Sequence, residues 1–563
     1  MTRRADLVLA VYGAALAALA LGPLLGGGYL LLRDAVSTPR SYLTDAALGL
    51  GGNAARATPQ DWLIAVASHV VDGGVAVTAI LFVSLAAAAW GYGRCAVAVC
   101  ERAGLDVGLP GALAAATVAV WNPFVAERLL QGHWSLLAGY AAVGWTVVVA
   151  LRMRGVAQAG ALACCLAAGG LTPTGAMYVL VTALILVRRR VLTLILFVVA
   201  AAPWLYPSLV ASVGLTVDRA SVGVFAARAE TGLGTLGSLA GLGGIWNAQA
   251  VPPGRDGVGA LLGTALLLLV VVSGLVVLRL KRLRGLVGLA VVAVLLPASA
   301  ATPLGSDALA AVVTHVPGGG ILRDTQKWVA LAAPLYCSAA AAAVCAAVRW
   351  APQARGPIAV LVGALAVVAL PGLAWGVSRN IAPTHYPAAW REVASRVPAG
   401  DGAVAVLPTG MFRRFAYGPA APVLDPAPRM LAAPVLQTGE LKVGDQVIDR
   451  VPGPAADAEE ALITGGPGLR DRLAGLGVRW VLVEASPAMP NVDLAGLQRV
   501  YHSDALQLWQ VPGTVSRPAA ATGPERAGAW AAHLLWLATL LGGAGAAAVR
   551  RHETAPEAAH PVI

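Results

Sequence analysis

Long apolar segments are the feature that most constrains the fold of this chain. Residues 7–32, 259–280 and 325–348 are runs that reach or approach the ~20 residues with which an α-helix crosses the hydrocarbon core of a bilayer. Of the 563 residues, 58% are hydrophobic and only 12% are charged. A soluble globular domain carries roughly 25% charged residues. The chain is therefore predicted to be an α-helical polytopic membrane protein.

The positions of the basic residues predict how the chain is threaded through the membrane. Short Arg and Lys clusters alternate with loops that lack them, and the positive-inside rule assigns these clusters to the cytoplasm. About twelve transmembrane helices follow, with both termini cytoplasmic. The predicted spans are residues 7–32, 72–93, 108–122, 135–151, 156–171, 174–187, 191–211, 259–280, 285–301, 325–348, 356–377 and 528–549. The net charge of +11 belongs to these loop clusters and does not indicate nucleic-acid binding.

The predicted plan consists of a transmembrane core, an inserted domain, a last transmembrane helix and a tail. Residues 1–377 form the transmembrane core, whose outward loops are 33–71, 123–134, 212–258 and 302–324. A helix at 528–549 is the last span, and residues 550–563 form a cytoplasmic tail.

Residues 378–527 are predicted to form a small extracytoplasmic α/β domain, inserted before the last transmembrane helix. This segment is richer in charge and in proline. "GAVAVLP" and "VRWVLVEA" predict short strands, and "AAWREVASRV" and "GLRDRLAGLG" predict amphipathic helices. Helix followed by strand, twice over, is typical of an α/β layer domain.

Asp34 is the first candidate catalytic residue. It directly follows the first predicted span, so its carboxylate lies at the level of the lipid headgroups. A carboxylate there could act as a general base toward a hydroxyl group of a lipid-linked or membrane-bound substrate. The alternative is an interfacial acid that pairs with Arg33 or Arg40.

The stretch "VWNPFVAERLLQGHW" carries three more candidates. Pro123 is expected to break or start a helix, and Glu127, Arg128 and His133 follow within ten residues. Charges at a membrane edge are costly without a use, so these side chains predict the polar wall of an outward-facing cavity. Glu127 is a second candidate base, and Arg128 and His133 are candidate substrate-binding residues. The alternatives are mutual neutralisation at a helix end and, for His133, an interfacial hydrogen bond.

The stretch "GGGILRDTQKW" predicts a phosphate site. Arg323 and Lys327 are four residues apart, so both lie on one face at the outer start of a predicted helix, with Trp328 beside them. Two cations at a helix N-terminus favour binding of a phosphate group. The alternative is that the pair anchors to lipid headgroups, with Asp324 as a charge partner of the helix N-terminus.

The loop 212–258 is long and rich in glycine, and long ordered loops tend to be functional. Trp246 could stack on a sugar ring or anchor at the membrane interface, and Asn247 follows it; both are candidate substrate-binding residues. The chain has six Cys but no Cys-x-x-Cys pair, so no metal ligands are predicted among them.

These features, taken in order, resemble a known family. An acid in the first outward loop, "NPFVAERLLQGHW", "GGIWN", "LRDTQKW" and an outer α/β domain are similar to the multi-spanning actinobacterial membrane proteins grouped with the GT-C superfamily of glycosyltransferases. The chain also resembles bacterial membrane proteins of the YfhO type. The resemblance covers nearly the whole chain, and its motifs are more specific for the family than for an activity.

The resemblance implies a membrane glycosyltransferase of the plasma membrane. Such an enzyme transfers a sugar from a polyprenyl-phosphate donor to a cell-envelope glycan or glycolipid on the outer face, with inversion. Asp34 matches the catalytic carboxylate of the first outward loop, and Arg323 and Lys327 match the phosphate-binding residues. Many members carry two adjacent acids in that loop, whereas Asp34 stands between Arg33 and Ala35. The use of a divalent metal therefore stays open.

Two other functions remain as alternatives. A transporter or flippase for a lipid-linked glycan predicts charges deep within spans and paired broken helices. A non-catalytic scaffold for cell-envelope assembly predicts that Asp34, Arg323 and Lys327 are dispensable. The α/β domain itself could contact the acceptor glycan, with Trp390, Arg413, Arg414 and Tyr417 as candidates.

Overall fold

Helices dominate the first two thirds of the molecule. The computed structural model describes residues 1–51, 58–152, 155–210, 219–349, 351–443, 446–448, 452–485, 492–517 and 520–553. Within these ranges, seven helices are long and apolar enough to cross a membrane: Arg3–Gly26, Gly73–Ala103, Gly108–Gln131, Arg190–Val210, Val258–Leu275, Thr325–Val348 and Gly523–Ala547. Several of these segments contain a short 3₁₀ stretch or a break.

Bent and short helices complete the helical part. Two pairs of helices are long and apolar enough to cross a membrane only when the two members are counted together. They are Arg284–Ala300 with Pro303–His315, bent by 97°, and Arg355–Ala369 with Pro371–Arg379, bent by 76°. Leu136–Arg152, Val156–Gly169 and Pro173–Leu186 are apolar helices of 14 to 17 residues. The described residues thus contain seven candidate spans, or nine if each bent pair is one, and the predicted count of about twelve is not confirmed.

The surface of the helical part matches a lipid environment. Large apolar side chains such as Val83 and Leu269 are 62% and 60% exposed on the outside of their helices. Others, such as Leu81 and Leu267, are buried between helices. A helix that is apolar on both faces is typical of a membrane span.

The first predicted span is shorter than expected. The α-helix Arg3–Leu21 continues only as the 3₁₀ turn Gly22–Gly26, because Gly27 and Gly28 take φ angles of +96° and +93°. The apolar residues that follow form a hairpin of the strands Leu31–Leu32 and Ala35–Val36. The prediction of a helix through residue 32 is therefore wrong at its end.

The predicted outward loops contain short helices. These are Ala46–Leu48 and Gln60–Ala67 in the first loop, Pro123–Gln131 in the second, Ala220–Val224, Gly234–Ala240 and Ala248–Ala250 in the third, and Pro303–His315 and Gly319–Leu322 in the fourth. The helix Pro123–Gln131 begins as expected at proline, with Asn122 as its N-cap. Parts of the first and third loops, residues 52–57 and 211–218, lie outside the described residues.

A five-stranded mixed sheet follows the helical part. In spatial order its strands are Gln498–His502, Leu506–Gln510, Val478–Glu484, Ala403–Leu407 and Val435–Leu436. The last three are parallel to one another, and the first two are antiparallel additions. The helices Ala389–Arg396, Ala427–Met430, Pro454–Thr464 and Leu469–Gly475 and the hairpins Phe412–Arg413 with Val423–Leu424 and Leu441–Val443 with Gln446–Ile448 complete this part.

Both predicted strands and both predicted amphipathic helices are therefore present between residues 389 and 484. The location of this part outside the cytoplasm and its predicted boundaries stay predictions. The final helix, Gly523–Glu553, returns to the helical part, and residues 554–563 of the predicted tail lie outside the described residues.

The sheet part packs on the end of the helical part that carries the hairpin 31–36. Tyr29 pairs with Thr384 and Arg33 pairs with Val423 in isolated β-bridges. Arg429 of the sheet part forms an ion pair with Asp61, with Nη2 and Oδ2 3.1 Å apart. These contacts leave cavities between the two parts.

Candidate active site

Asp34 lies at the tip of the first hairpin. Leu32 pairs with Ala35, so Arg33 and Asp34 form the two-residue turn, in which Arg33 has a φ angle of +48°. The turn rests on Gly132, the residue after the helix Pro123–Gln131.

A side chain at Gly132 would collide with this hairpin. A Cβ atom there would lie 2.4 Å from the amide nitrogen of Ala35 and 2.5 Å from the carbonyl oxygen of Leu32. Gly132 also has a φ angle of +85°, which other residues rarely adopt. The glycine therefore permits the close packing that places Asp34 beside the polar helix.

The carboxylate of Asp34 is held by two residues of the opening motif. Its Oδ2 atom accepts hydrogen bonds from Nε2 of Gln131 at 2.9 Å and from Nε2 of His133 at 3.0 Å. About a third of the Asp34 side chain, 31%, remains exposed. The guanidinium of Arg33 donates to the carbonyl oxygens of Leu130 and Gln249.

The electrostatics of this pair favour an ionised Asp34 and a neutral His133. Burial alone would raise the pKa of Asp34, but the hydrogen bonds from His133 and Gln131 and the charge of Lys327 lower it below its ordinary value of 3.8. Burial lowers the pKa of His133, and Arg128 and Lys327 lower it further against the opposing effect of Asp34. A neutral imidazole that donates from Nε2 to Asp34 accepts at Nδ1.

Arg128 satisfies that acceptor. Its Nη1 atom donates to Nδ1 of His133 at 3.1 Å and lies 3.0 Å from Oδ2 of Asp324, and its Nη2 atom donates to Gln326. Arg128 is fully buried. Arg128 therefore orients His133 from behind the cavity wall. The sequence predicted instead that Arg128 binds substrate.

Glu127 also lies behind the wall. It is fully buried, with Oε1 accepting from the amide of Gly244 at 3.1 Å and Oε2 accepting from Nε2 of Gln326 at 2.8 Å. Both carboxylate oxygens are therefore used to join the helix Pro123–Gln131 to the glycine-rich loop and to the 3₁₀ segment of Gln326. This arrangement favours a structural role over the predicted role as a base.

The predicted phosphate site approaches Asp34 from another segment. Thr325–Ala332 is a 3₁₀ helix, and the α-helix begins only at Ala333. Lys327 Nζ lies 3.5 Å from Oδ2 of Asp324, and the guanidinium of Arg323 lies over the ring of Phe225, 4.4 Å from its centroid.

The aromatic candidates separate. Trp328 packs edge-on against Tyr178, with ring centroids 5.6 Å apart, and lies away from the cavity lining. Trp246 packs edge-on against Phe225 at 4.8 Å and lines the cavity. Asn247 donates from Nδ2 to Oε1 of Gln131 at 2.8 Å, on the far side of that amide from Asp34.

These segments enclose a cavity of about 390 Å³, called the basic cavity below. Its charged and titratable lining residues are Asp34, His133, Arg323, Asp324, Lys327 and Arg429. Met411, Phe412 and Arg429 come from the sheet part, and sequence reasoning missed all three. No local pattern marks them, since they reach the cavity only through packing of the two parts.

Asp324 differs from its predicted role at a helix terminus. Its carboxylate lies between Arg128 and Lys327, and burial, which would raise its pKa, is outweighed by these cations, which lower it. Its Oδ1 atom is buried without a hydrogen-bond partner. The carboxylate therefore balances the charges of Arg128 and Lys327 and makes no side-chain hydrogen bond that caps the helix.

The donor set of the cavity does not resemble a metal site. Among the described residues, no group of three or more His, Cys, Asp or Glu side chains could hold a metal ion. Asp34 and Asp324 are already paired with His133 and Arg128, so their charges are balanced by protein groups.

Of the candidates from the sheet part, Arg413 and Trp390 are buried, Tyr417 is partly buried and Arg414 is exposed. Arg413 is buried beside Asp425 and Glu484, with nitrogen–oxygen distances of 3.0 and 2.5 Å. Trp390 donates from Nε1 to the hydroxyl of Tyr417 at 2.9 Å in an aromatic cluster. Neither group lines the basic cavity.

Comparisons with known proteins give a likeness in fold. No family model and no curated protein matches the sequence. A solved structure of the arabinofuranosyltransferase AftD from Mycobacteria matches with a TM-score of 0.58 and 15% identity, over 92% of this chain and 40% of AftD. Two structures of an AftD mutant match with TM-scores of 0.56 and 0.54, at 16% and 14% identity, over 92% and 91% of this chain and 42% of AftD in both cases.

The chain therefore spans about 40% of the length of AftD. At this identity the likeness concerns the fold. Together with the apolar helices, it supports a multi-pass membrane protein. The predicted resemblance is confirmed as a likeness in fold: this chain is similar in fold to a mycobacterial arabinofuranosyltransferase.

Proposed function

We propose that this protein is a membrane glycosyltransferase that moves a sugar from a polyprenyl-phosphate donor to a cell-envelope glycan or glycolipid. The observation that carries the proposal is the basic cavity, which is lined by a partly exposed carboxylate and by two cations from a distant segment. Asp34 comes from the first hairpin, and Arg323 and Lys327 come from a segment almost 300 residues later. The likeness in fold to AftD supports the same class of reaction.

In the proposed mechanism Asp34 is the general base. It takes the proton of the acceptor hydroxyl as that oxygen attacks the anomeric carbon and the bond between this carbon and the phosphate oxygen breaks. A single displacement inverts the anomeric configuration. His133, whose Nδ1 accepts a hydrogen bond from Arg128, orients the carboxylate through Oδ2.

The cations act on the leaving group. Negative charge grows on the polyprenyl phosphate as the sugar leaves, and preorganised cations stabilise charge that develops in the transition state. Lys327 and Arg323 line the same cavity as Asp34 and can supply this stabilisation.

An apolar groove supports a lipid-linked donor. A cavity of about 860 Å³ lies between the helices Gly73–Ala103, Leu136–Arg152, Val156–Gly169 and Gly523–Glu553. Its lining reaches Ala138 and Leu171, and the basic cavity begins at the nearby Leu136 and Thr172. An isoprenoid tail in this groove would place its phosphate near the cations.

The positive-inside rule supports reaction on the outer face of the plasma membrane. The helix Gly73–Ala103 begins against Thr38, near the hairpin, and ends at Gly104 beside Arg279 and Arg282. At 31 residues it is roughly 46 Å long, enough to cross a bilayer. Basic residues at its far end favour a cytoplasmic location there, with both termini on that side and the basic cavity opposite.

The test is transfer in membranes with radiolabelled polyprenyl-phosphate mannose and polyprenyl-phosphate arabinose as donors. Asp34→Asn is expected to lower transfer by about 100-fold or more, because the base is lost. Lys327→Ala is expected to lower kcat by a comparable factor, because it removes a cation at the leaving group.

Matched controls are Asp256→Asn and Lys281→Ala, which change exposed residues away from the basic cavity. Transfer that is lost in both site variants but kept in both controls supports the enzyme and both roles. Transfer that survives Asp34→Asn contradicts the assigned base and leaves Glu127 as the next residue to test.

Transport of a lipid-linked glycan is the second candidate, because two helix pairs are broken by 97° and 76°. Absence of transfer by the unaltered protein, with movement of a fluorescent lipid-linked glycan across proteoliposomes, would support the transporter and overturn the transferase.

A further inference from the structure

A second cavity, of about 580 Å³, lies between the helical part and the sheet part beside the basic cavity. On the helical side it is lined by Arg33, Gln131, Trp246 and Asn247, and on the sheet side by residues that include three carboxylates. These are Glu440, Glu459 and Glu460, so this space is called the acidic cavity.

The two cavities share a wall at the candidate base. Gln131 and Trp246 line both, while the consecutive residues Arg33 and Asp34 line the acidic and the basic cavity respectively. The Gln131 amide donates to Asp34 and accepts from Asn247. A ligand in the acidic cavity that extends past this amide therefore reaches the carboxylate of Asp34.

The charge of the acidic cavity selects against anions. Its lining carries three carboxylates and one guanidinium, and that guanidinium, of Arg33, already donates to two backbone carbonyl groups. The basic cavity carries three cations, Arg323, Lys327 and Arg429, and two carboxylates. A phosphate group is thus attracted to the basic cavity and repelled by the acidic cavity.

The chemistry of the acidic cavity suits a neutral sugar chain. One face of the helix Pro454–Thr464 lines the cavity with Ala456, Glu459, Glu460 and Ile463. The two carboxylates on this face therefore lie between two apolar side chains. Carboxylate and amide oxygens accept hydrogen bonds from hydroxyl groups, and the aromatic rings of Trp246 and Phe412 offer flat apolar surface.

We propose that the acidic cavity binds the acceptor as a neutral glycan of several sugar residues, whose terminal hydroxyl passes Gln131 to reach Asp34. This proposal rests on the proposed transferase function. The carboxylates of Glu440 and Glu460 determine the preference for neutral over anionic glycans.

The test measures binding without a donor, by calorimetric titration of the full chain in nanodiscs. The probes are a neutral pentofuranosyl tetrasaccharide and the same tetrasaccharide with a terminal phosphate ester. The unaltered protein is expected to bind the neutral probe at least tenfold more tightly than the anionic one. The double variant Glu440→Gln with Glu460→Gln is expected to bind the neutral probe about tenfold more weakly, since hydrogen bonds to charged groups are lost. The difference in affinity between the neutral and the anionic probe should also become smaller.

Asp457→Asn is the matched control, because Asp457 is an exposed carboxylate on the same helix that does not line the cavity. Equal binding of both probes, or a double variant that binds like the control, overturns the proposal. If the double variant binds the neutral probe as the unaltered protein does and sugar transfer is intact, the acidic cavity is rejected as the acceptor site but the transferase function is not. Binding as expected with no transfer from any donor rejects the transferase and leaves a glycan-binding site.

Discussion

The basic and the acidic cavity are formed by the same two parts of the molecule but differ in charge. Both lie between the end of the helical part and the sheet part, and both include Gln131, Trp246, Met411 and Phe412. The basic cavity collects its cations from the segment of Arg323 and Lys327. The acidic cavity collects its carboxylates from the sheet part.

This difference indicates how one interface can sort two substrates. An anionic donor and a neutral acceptor need not compete if the surrounding charge directs each to its own space. In the proposed reaction the two substrates then meet at the shared wall, beside the carboxylate of Asp34. The difference between the cavities depends on the position of the hairpin 31–36. Its turn places Arg33 in the lining of the acidic cavity and Asp34 in the lining of the basic cavity.

The largest effect is expected from Gly132→Ala. The added Cβ would lie 2.4 Å from the backbone of Ala35, so the hairpin must move and Asp34 must leave its place between the cavities. A displacement of about 1 Å at a reacting group can cost on the order of 100-fold in rate. Transfer should fall by about that factor, measured in membranes at equal expression.

Gly468→Ala separates this displacement from backbone strain. Gly468 has the same left-handed backbone, with a φ angle of +81°, but no atom of the described residues lies within 4 Å of its Cβ position. Both substitutions carry a left-handed backbone penalty of about 1–2 kcal/mol. Equal loss of transfer in the two variants would contradict the close contact between Gly132 and the hairpin.

The next effect concerns Glu127, which the structure places behind the wall of the basic cavity. Glu127→Gln leaves an amide facing the NH₂ group of Gln326, so the free energy of unfolding should fall by about 1–2 kcal/mol. Transfer should fall less than tenfold, since the base remains. Thermal unfolding in detergent and transfer are measured together, with Glu101→Gln as a control at an exposed ion pair. A loss of transfer as large as that of Asp34→Asn would assign catalysis to Glu127.

The sequence and the structure agree best where a local pattern determines the outcome. The helix that starts at Pro123 and the strand Val478–Glu484 follow from proline and from short-range apolar patterns. Asp34 and His133 could be named because polar residues are costly at membrane edges. Their direct contact could not be predicted, since it joins segments 99 residues apart.

The remaining differences come from packing between distant segments. The helix period places Glu127 and Arg128 on the surface of one helix, but it does not indicate that Gly244 and Gln326 cover them. Arg429 reaches the basic cavity because the sheet part docks on Asp61, which lies 368 residues earlier. Burial of this kind depends on tertiary structure, which no periodicity in the sequence specifies.

A smaller effect is expected from the pH dependence of stability. The pKa of His133 is lowered by burial, so between pH 6.5 and that lower value the unfolded chain binds a proton that the folded chain does not. Stability should therefore fall as pH falls through this window. His133→Gln should remove this pH-dependent component of stability. Thermal unfolding is followed from pH 7.5 to 5, with the exposed His502→Gln as control. If Tm depends on pH in the same way with and without His133, the neutral state of this partly buried imidazole is contradicted.

The smallest effect tests the sorting by charge directly. Salt screens the attraction between a phosphate and partly exposed cations, and the Debye length falls from about 14 Å to about 4 Å between 50 and 500 mM salt. The KM of a polyprenyl-phosphate donor should rise several-fold over this range, because Arg323 and Lys327 bind it through charge. The KM of a neutral tetrasaccharide acceptor should change less than twofold, because the carboxylates bind its hydroxyl groups through short-range hydrogen bonds. Parallel rises in both KM values would show that the two cavities do not divide the substrates by charge.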